Sequence, residues 1–454
     1  MALLGWGLGK WKAEYKTSLP RLSDEEARLV LSVAEGFRTE NQSREISDDK
    51  DARQRIENLL LETCEEQGLQ LDFGQEKYIS NAVFMQTAGA GFLDELLADP
   101  ALEEIAVIGL GKPVFVFVRG KGWKKTGIFI DSQEYFVSLA NRLGRDLGRR
   151  LTAQHPRLNE VLPDGSRLHA SMPPISSCEL TIRKFTSEPI SAFDLLSLGT
   201  YNAKALSILS LAIQSDFSIV LAGNTASGKT STLNALLSFV PSSERLLLVE
   251  ETPEISTPHI HQLRLLPFEE GEIGMVELVR DSLRMRPDRV VVGEVRCQDE
   301  ARAFVESALS GQAKGCYATF HAQSARDALL RLRMMGCLEA DLGGIDLFVV
   351  QRRVSTYDSK ERKIGEARKL TEISLADKQS PLNPKILFDG KSFSRQVLNI
   401  FVEKISSNSG MPKSEVHGEL AAREKFLLKN RRAKGFEKSF GILQKFLFGG
   451  GAIA

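Results

Sequence analysis

The stretch Gly223-Asn224-Thr225-Ala226-Ser227-Gly228-Lys229-Thr230 constrains this chain more than any other, because it separates a short apolar run, residues 217–222, from a helix-like run, residues 231–240. A strand that turns through glycines into a helix aims consecutive backbone N–H groups at one point, in front of the positive end of the helix dipole. That is an anion cradle. Lys229 adds a charge that reaches terminal phosphates, and the Thr230 hydroxyl suits a Mg²⁺ bound to them. The expected ligand is a nucleoside triphosphate, and the expected setting is the edge of a parallel α/β sheet.

The chain is long enough for two or three domains: 454 residues, 42% of them hydrophobic, exclude a disordered polymer. Lys plus Arg and Asp plus Glu both number 59, so no overall field draws the molecule to nucleic acid or to an anionic membrane. Five cysteines, Cys64, Cys178, Cys297, Cys316 and Cys337, show no paired spacing and read as reduced thiols of a cytosolic protein. The first nine residues contain an apolar run, but Lys10 and Lys12 interrupt it well short of a signal-peptide core. No run approaches the ~20 apolar residues that span a bilayer.

Along the chain, helical periodicity covers residues 25–37 and 51–67, with a polar loop expected over 40–50. Residues 96–108 read as helix then strand. Runs at 114–118, 128–130, 167–172 and 180–185 read as strands, and 133–147 as a helix, giving a small α+β domain with a mixed sheet. Residues 186–191 read as a linker. Beyond it, an apolar helix at 203–214 precedes the phosphate loop and a strand–helix alternation. The resulting division is 1–85 helical, 86–185 α+β, 186–191 linker, 192–375 α/β and 376–454 a helical extension. Arg142 and the basic residues up to Arg150 read as the solvated or subunit-facing side of a helix, with Leu143 and Leu147 turned inward.

Three further strand ends carry chemistry. The run 246–249 ends in Glu250-Glu251, placing two carboxylates where α/β sheets hold their ligands, to polarise water or hold Mg²⁺. Residues 290–292 lead through Gly293 to Glu294, a carboxylate suited to supporting a metal through its water shell. The run 316–320 ends in His321, an imidazole able to donate toward a phosphate. Each alone is a common strand end. Together with a phosphate loop they make a candidate catalytic cluster. Arg280, Arg284, Arg286 and Arg296 flank the Glu294 strand, and planar guanidinium forks suit phosphoryl charge. Surface or helix-end roles stand as the alternative for each, most of all for Arg286.

These motifs in this order resemble the type II/type IV secretion ATPases, the group that powers pilus assembly, archaellum assembly and secretion. The family's Walker A, Asp, Walker B and His boxes fall on residues 223–231, 250–254, 290–294 and 318–322, and the resemblance runs over roughly 90–373. It implies a RecA-like P-loop motor domain behind a small α+β domain, and an ATP-hydrolysing homohexamer using Mg²⁺. In that reading the loop residues Gly223 to Thr230, together with Ser231, hold ATP, and Thr230 and, through water, Glu294 hold the metal. Glu250, Glu251, Glu294 and His321 act in catalysis with Arg280, Arg284 and Arg296, some of them across a subunit boundary. Arg167, in Leu-Pro-Asp-Gly-Ser-Arg, and Arg183, in Thr-Ile-Arg, match positions where the family's front domain reaches the nucleotide. The resemblance further implies a cytoplasmic protein peripheral to the cytoplasmic membrane, working on a polytopic platform protein to move pilin-like or secreted substrates, with no direct nucleic-acid contact. Residues 349–354 and Lys121-Gly122-Trp123 are similar to archaeal members, and the bacterial tetracysteine motif is absent, so no structural zinc is expected. The family's Asp box usually reads Glu-Asp, whereas this chain has Glu250-Glu251, which leaves open which carboxylate handles water. A conjugation-type DNA-transfer motor shares these boxes, and a nucleotide switch without turnover is the non-enzymatic alternative.

Overall fold

The computed structural model describes residues 6–8, 11–19, 22–41, 48–144, 150–184, 189–268, 273–358 and 362–449. The chain divides into two compact units, 1–186 and 187–454.

The first unit begins with a short strand, β1 (Trp6–Leu8), followed by α1 (Asp24–Asn41), α2 (Asp49–Gln67), α3 (Phe73–Thr87) and α4 (Leu93–Ala98). Then come β2 (Leu102–Val107), β3 (Pro113–Val118), β4 (Gly122–Ile130), α5 (Gln133–Leu143), β5 (Arg157–Val161), β6 (Arg167–Ser171) and β7 (Glu179–Arg183). Local chemistry sets the helix ends: Asp48 accepts from Asp51 N ahead of α2, and Asp72 and Gln75 form a reciprocal capping box on α3. The strands form one sheet in the order β1-β4-β3-β2-β7-β6-β5. Its pairings are antiparallel throughout, because tight turns at Gly120–Gly122 and Leu162–Ser166 fold consecutive strands back on one another. The α+β class holds, but the sheet is antiparallel rather than mixed.

Residues 1–85 are not purely helical, since β1 pairs with β4 and buries Trp6 against Phe92. They share one core with the strands: Val30, Val33 and Phe37 of α1 and Ile56 of α2 belong to the cluster that includes Val116 of β3 and Ile182 of β7. Helix α5 stops at Leu143, and residues 145–149, with Leu147 and most of the basic run, lie outside the described residues. Arg142 is not a solvated side chain. Its guanidinium donates to the carbonyls of Gln86 and Thr87, the last residues of α3.

The second unit contains α6 (Ala192–Ser197), α7 (Ala203–Gln214), β8 (Ile219–Ala222), α8 (Lys229–Leu237), β9 (Leu246–Val249), β10 (Gln262–Leu265) and α9 (Met275–Leu283). It continues with β11 (Arg289–Val295), α10 (Gln298–Leu309), β12 (Gly315–Phe320), α11 (Ala325–Met334), β13 (Leu347–Asp358), β14 (Lys363–Leu375) and β15 (Lys385–Phe388). Helices α12 (Arg395–Ser409), α13 (Lys413–Asn430) and α14 (Phe436–Phe448) end it. Of the expected linker, residues 186–188 lie outside the described residues, and Ser191 already caps α6.

The sheet order is β10-β9-β11-β12-β8-β13-β14-β15, parallel from β10 to β13 and antiparallel beyond. The middles of the central strands are runs of apolar residues, as in Ile219–Ala222, Leu246–Val249 and 290–292, because both faces are covered. Ile219 and Leu221 of β8 enter a core shared with α7, α8, α12 and α13, while Val220 and Ala222 enter one shared with α9, α10 and α11. The segment 376–454 is part of this body and is not wholly helical, since β15 extends the sheet. Phe401 stacks edge-on against Phe217, and buried Arg423 of α13 bonds Ser210 and Gln214 of α7. Gln444 of α14 donates to the carbonyls of Ser238 and Val240 just beyond α8. Among the described residues no helix is long and apolar enough to cross a membrane.

Candidate nucleotide site

Strand β8 ends at Ala222, and the chain turns through 223–228 into α8. Ala226 and Gly228 adopt positive φ, 58° and 88°, and a Cβ at Gly223 would lie 2.1 Å from the Gln351 carbonyl oxygen. Those two glycines are therefore dictated, one by conformation and one by space. Lys229, the first residue of α8, is buried and lays its ammonium on the carbonyls of Gly223 and Asn224 at 3.3 and 3.4 Å. The Ser227 hydroxyl is buried without a protein partner. A buried ammonium, an orphaned hydroxyl and a helix N-terminus lie together on this one loop. Such a set suits a polyphosphate. Thr225 is exposed, and Thr230 and Ser231 are half-buried on the first turn of α8.

The carboxylates at the neighbouring strand ends divide into two kinds. Glu250 is 1% exposed; its Oε1 accepts from the N–H groups of Glu254 and Ile255 at 2.8 and 2.7 Å, and its Oε2 pairs with Arg264 at 3.0 Å. Burial pushes its carboxyl above the usual range in spite of those donors. Glu251 points outward and pairs with Arg296. Arg296 donates from Nε to Glu294 at 2.7 Å, and His321 Nε2 lies 2.7 Å from the other Glu294 oxygen. Gly293 precedes Glu294 because Glu250 Cγ lies 3.1 Å from where a Cβ would stand. Burial first, and then the Lys229 ammonium, hold the His321 imidazole below the ordinary histidine range against the pull of Glu294. The ring is thus neutral near pH 7 and acts as a hydrogen-bond donor to Glu294.

Of the residues expected from sequence, Glu251, Glu294, Arg296 and His321 come together beside Lys229, and Glu250 is turned into the strand-end loop. Arg280 pairs with Glu306 of α10 and Arg284 with Asp281 of its own helix, neither with a carboxylate of the cluster. Arg286 follows α9 with a positive φ of 53°. Arg167 and Arg183 belong to the first unit, where the register sets them directly opposite each other with Glu104 on the far side of Arg183.

Sequence reasoning missed the support of the loop. Gln351 of β13, buried, donates from Nε2 to the Ser227 carbonyl and accepts from the Thr232 hydroxyl at 2.7 Å. Asn224 exchanges two hydrogen bonds with the backbone of Arg353, and Arg368 of β14 donates to the Ala226 carbonyl. The available signal was a lone amide, Gln351, immediately after the apolar run 347–350.

The family model described as "Type II/IV secretion system protein" matches residues 129–401. An uncharacterized protein of Methanocaldococcus jannaschii is 38% identical over 222 residues, which cover 45% of this chain and 30% of that protein. A second protein of the same archaeon is matched over 45% of its length, so the chain spans less than half of either. A Mycobacterium tuberculosis protein described as a putative conjugal transfer protein is 29% identical over 291 residues, 60% of this chain and 80% of that protein. The X-ray structure of the Legionella pneumophila ATPase DotB covers 82% of this chain and 93% of its own, with 19% identity and a TM-score of 0.48. With more than half of its residues matched by the family model, and with archaeal relatives among its matches, this chain belongs to the type II/IV secretion system protein family.

Proposed function

We propose that this chain is an ATP-hydrolysing ring motor of a type II/IV secretion-like machine, one that drives assembly or export of pilin-like subunits through a membrane platform protein. The observation that carries the reading is the meeting of Glu251, Glu294, Arg296 and His321 beside a phosphate loop with a buried lysine. The loop residues from Gly223 to Ser231 take the ATP phosphates, with Lys229 leaving its two carbonyls for them. Among the described residues no group of His, Cys, Asp and Glu forms a metal site of its own. The half-buried Thr230 hydroxyl and Glu294, the latter through water, would hold a Mg²⁺ that arrives with the nucleotide. Such an ion would supply charge neutralisation at the phosphates.

Glu251 orients the attacking water, since its carboxylate faces outward while that of Glu250 is engaged by backbone. His321 keeps Glu294 aligned, and Arg296 holds the two carboxylates together until phosphate charge competes for it. Arg167 and Arg183, at positions where the family resemblance implies nucleotide contacts, supply further phosphate contacts in this reading. The outward ion pairs of Arg280 and Arg284 suit a role at a neighbouring subunit of a homohexamer. The motor works from the cytoplasm, peripheral to the membrane.

Steady-state turnover with Mg-ATP tests this. Lys229→Ala is expected to abolish it while the thermal transition stays close to that of the parent. A variant that hydrolyses ATP at the parental rate removes the assignment. The mycobacterial relative's description favours one second reading, a DNA-transfer motor. Stimulation of the turnover by DNA selects it, and indifference to DNA selects the assembly motor.

A further inference from the structure

The β13–β14 hairpin is longer than the sheet that holds it. Leu347 to Val350 of β13 pair with β8 on one side, whereas β14 meets β15 only at residues 373–375. From Gln351 outward the two strands pair with each other alone, as far as Asp358 and Lys363. A two-stranded ribbon of this kind is only marginally stable by itself. Its root is fastened to the phosphate loop at each of the carbonyl or amide contacts made by Gln351, Arg353 and Arg368.

We infer that Gln351 is a positioning residue for nucleotide binding, and that the ribbon it roots is mechanically tied to the occupancy of the loop. The inference rests on the ATPase reading. In a planar trans peptide the C=O and the following N–H point opposite ways. Holding the Ser227 carbonyl against Gln351 Nε2 therefore turns the Gly228 N–H the other way, into the cradle, and the Thr232 bond fixes the amide that does the holding. Arg368, opposite Arg353 in the hairpin, secures the preceding carbonyl, that of Ala226. A loop released from these restraints samples orientations that present fewer N–H groups to phosphate, so binding weakens before chemistry does. Conversely, phosphate filling the loop firms up the root of the ribbon.

The test uses the full chain with Mg-ATP and Mg-ADP. Gln351→Met keeps the volume and removes both side-chain bonds; losing two bonds of ordinary strength raises KM for ATP and Kd for Mg-ADP by about tenfold, with kcat changing far less. In the parent, Mg-ADP slows amide exchange across residues 352–358 and 362–367, and in the variant that response is lost. Arg368→Ala, an exposed position with no part in the core, raises KM a few-fold by the same logic. A Gln351→Met protein with parental KM, or one that loses kcat at unchanged KM, overturns the inference. So does a parent whose ribbon exchanges alike with and without Mg-ADP. Should Gln351→Met not fold, parental KM in Arg368→Ala overturns it alone. A parent that binds no nucleotide sinks the ATPase reading and this inference together, whereas a binding parent with indifferent variants sinks only the latter.

Discussion

Replacing Glu250 and Glu251 in turn separates a carboxylate that builds the site from one that works in it. Glu250→Ala strips the acceptor from two backbone N–H groups, those of Glu254 and Ile255, and the partner from Arg264. Each buried donor left unpaired costs about 1–3 kcal/mol, and truncating a buried side chain adds a cavity, so the loss is about 3–5 kcal/mol. For a unit of this size that lowers Tm by on the order of 10 °C. Glu251→Ala removes only a solvent-exposed pair with Arg296, worth about 0–1 kcal/mol, and leaves Tm within a couple of degrees. The glutamine variants invert the order of damage. Glu250→Gln keeps an oxygen for the two N–H groups and imitates the neutral form that burial already favours, so it retains most of its stability and turnover. Glu251→Gln loses the charge proposed to orient water and is expected to drop kcat by roughly 10²–10⁴-fold. Calorimetry and steady-state ATPase rates on the four proteins decide the matter. An inactive Glu250→Gln beside an active Glu251→Gln would refute the division.

Two further outcomes follow from buried groups. Arg289, almost wholly buried at the start of β11, bonds Glu244 at 2.6 Å, the Ile213 carbonyl and the Tyr317 hydroxyl, and Arg289→Met strands Glu244 without its main partner; a loss of about 3–5 kcal/mol is expected by chemical denaturation. His259 is buried between Thr257, the Val240 carbonyl and the Phe440 ring, and burial lowers its pKa. The unfolded chain thus binds the proton more readily below about pH 6.5, so the stability that His259 contributes is present above that pH and is lost as pH falls toward the folded value. The Tm difference between the parent and His259→Asn therefore shrinks on acidification, and a difference that grows contradicts the burial argument.

The second unit was legible because its central strands are largely apolar runs that stop at residues of evident chemistry: Ala222 before the loop, Val249 before Glu250, Phe320 before His321. Both faces of such strands are covered, so sequence and environment agree at every position. What escaped has the opposite character. Strand β1 is three residues long and carries no period, and β5 is an edge strand with only Leu158 buried deeply. Glu250 and Glu251 are chemically alike, and the turn that brings the amides of Glu254 and Ile255 under one of them is a tertiary event. Gln351 finds its partners 119 and 124 positions away along the chain, a distance over which periodicity carries no information. Arg280 and Arg284 lie close to Glu294 in sequence, yet within the chain their ion pairs are with Glu306 of α10 and with Asp281, a pairing that sequence proximity does not reveal.

The chain's three tryptophans all reside in the first unit: Trp6 against Phe92, Trp11 against Phe129 with its indole N–H on the Thr126 carbonyl, and Trp123 against Phe117. The phosphate loop lies in the second unit, which has none. Intrinsic indole emission is therefore a one-sided optical probe: a shift on adding nucleotide would be a signal that has travelled from one half of the molecule to the other, obtained without attaching a label.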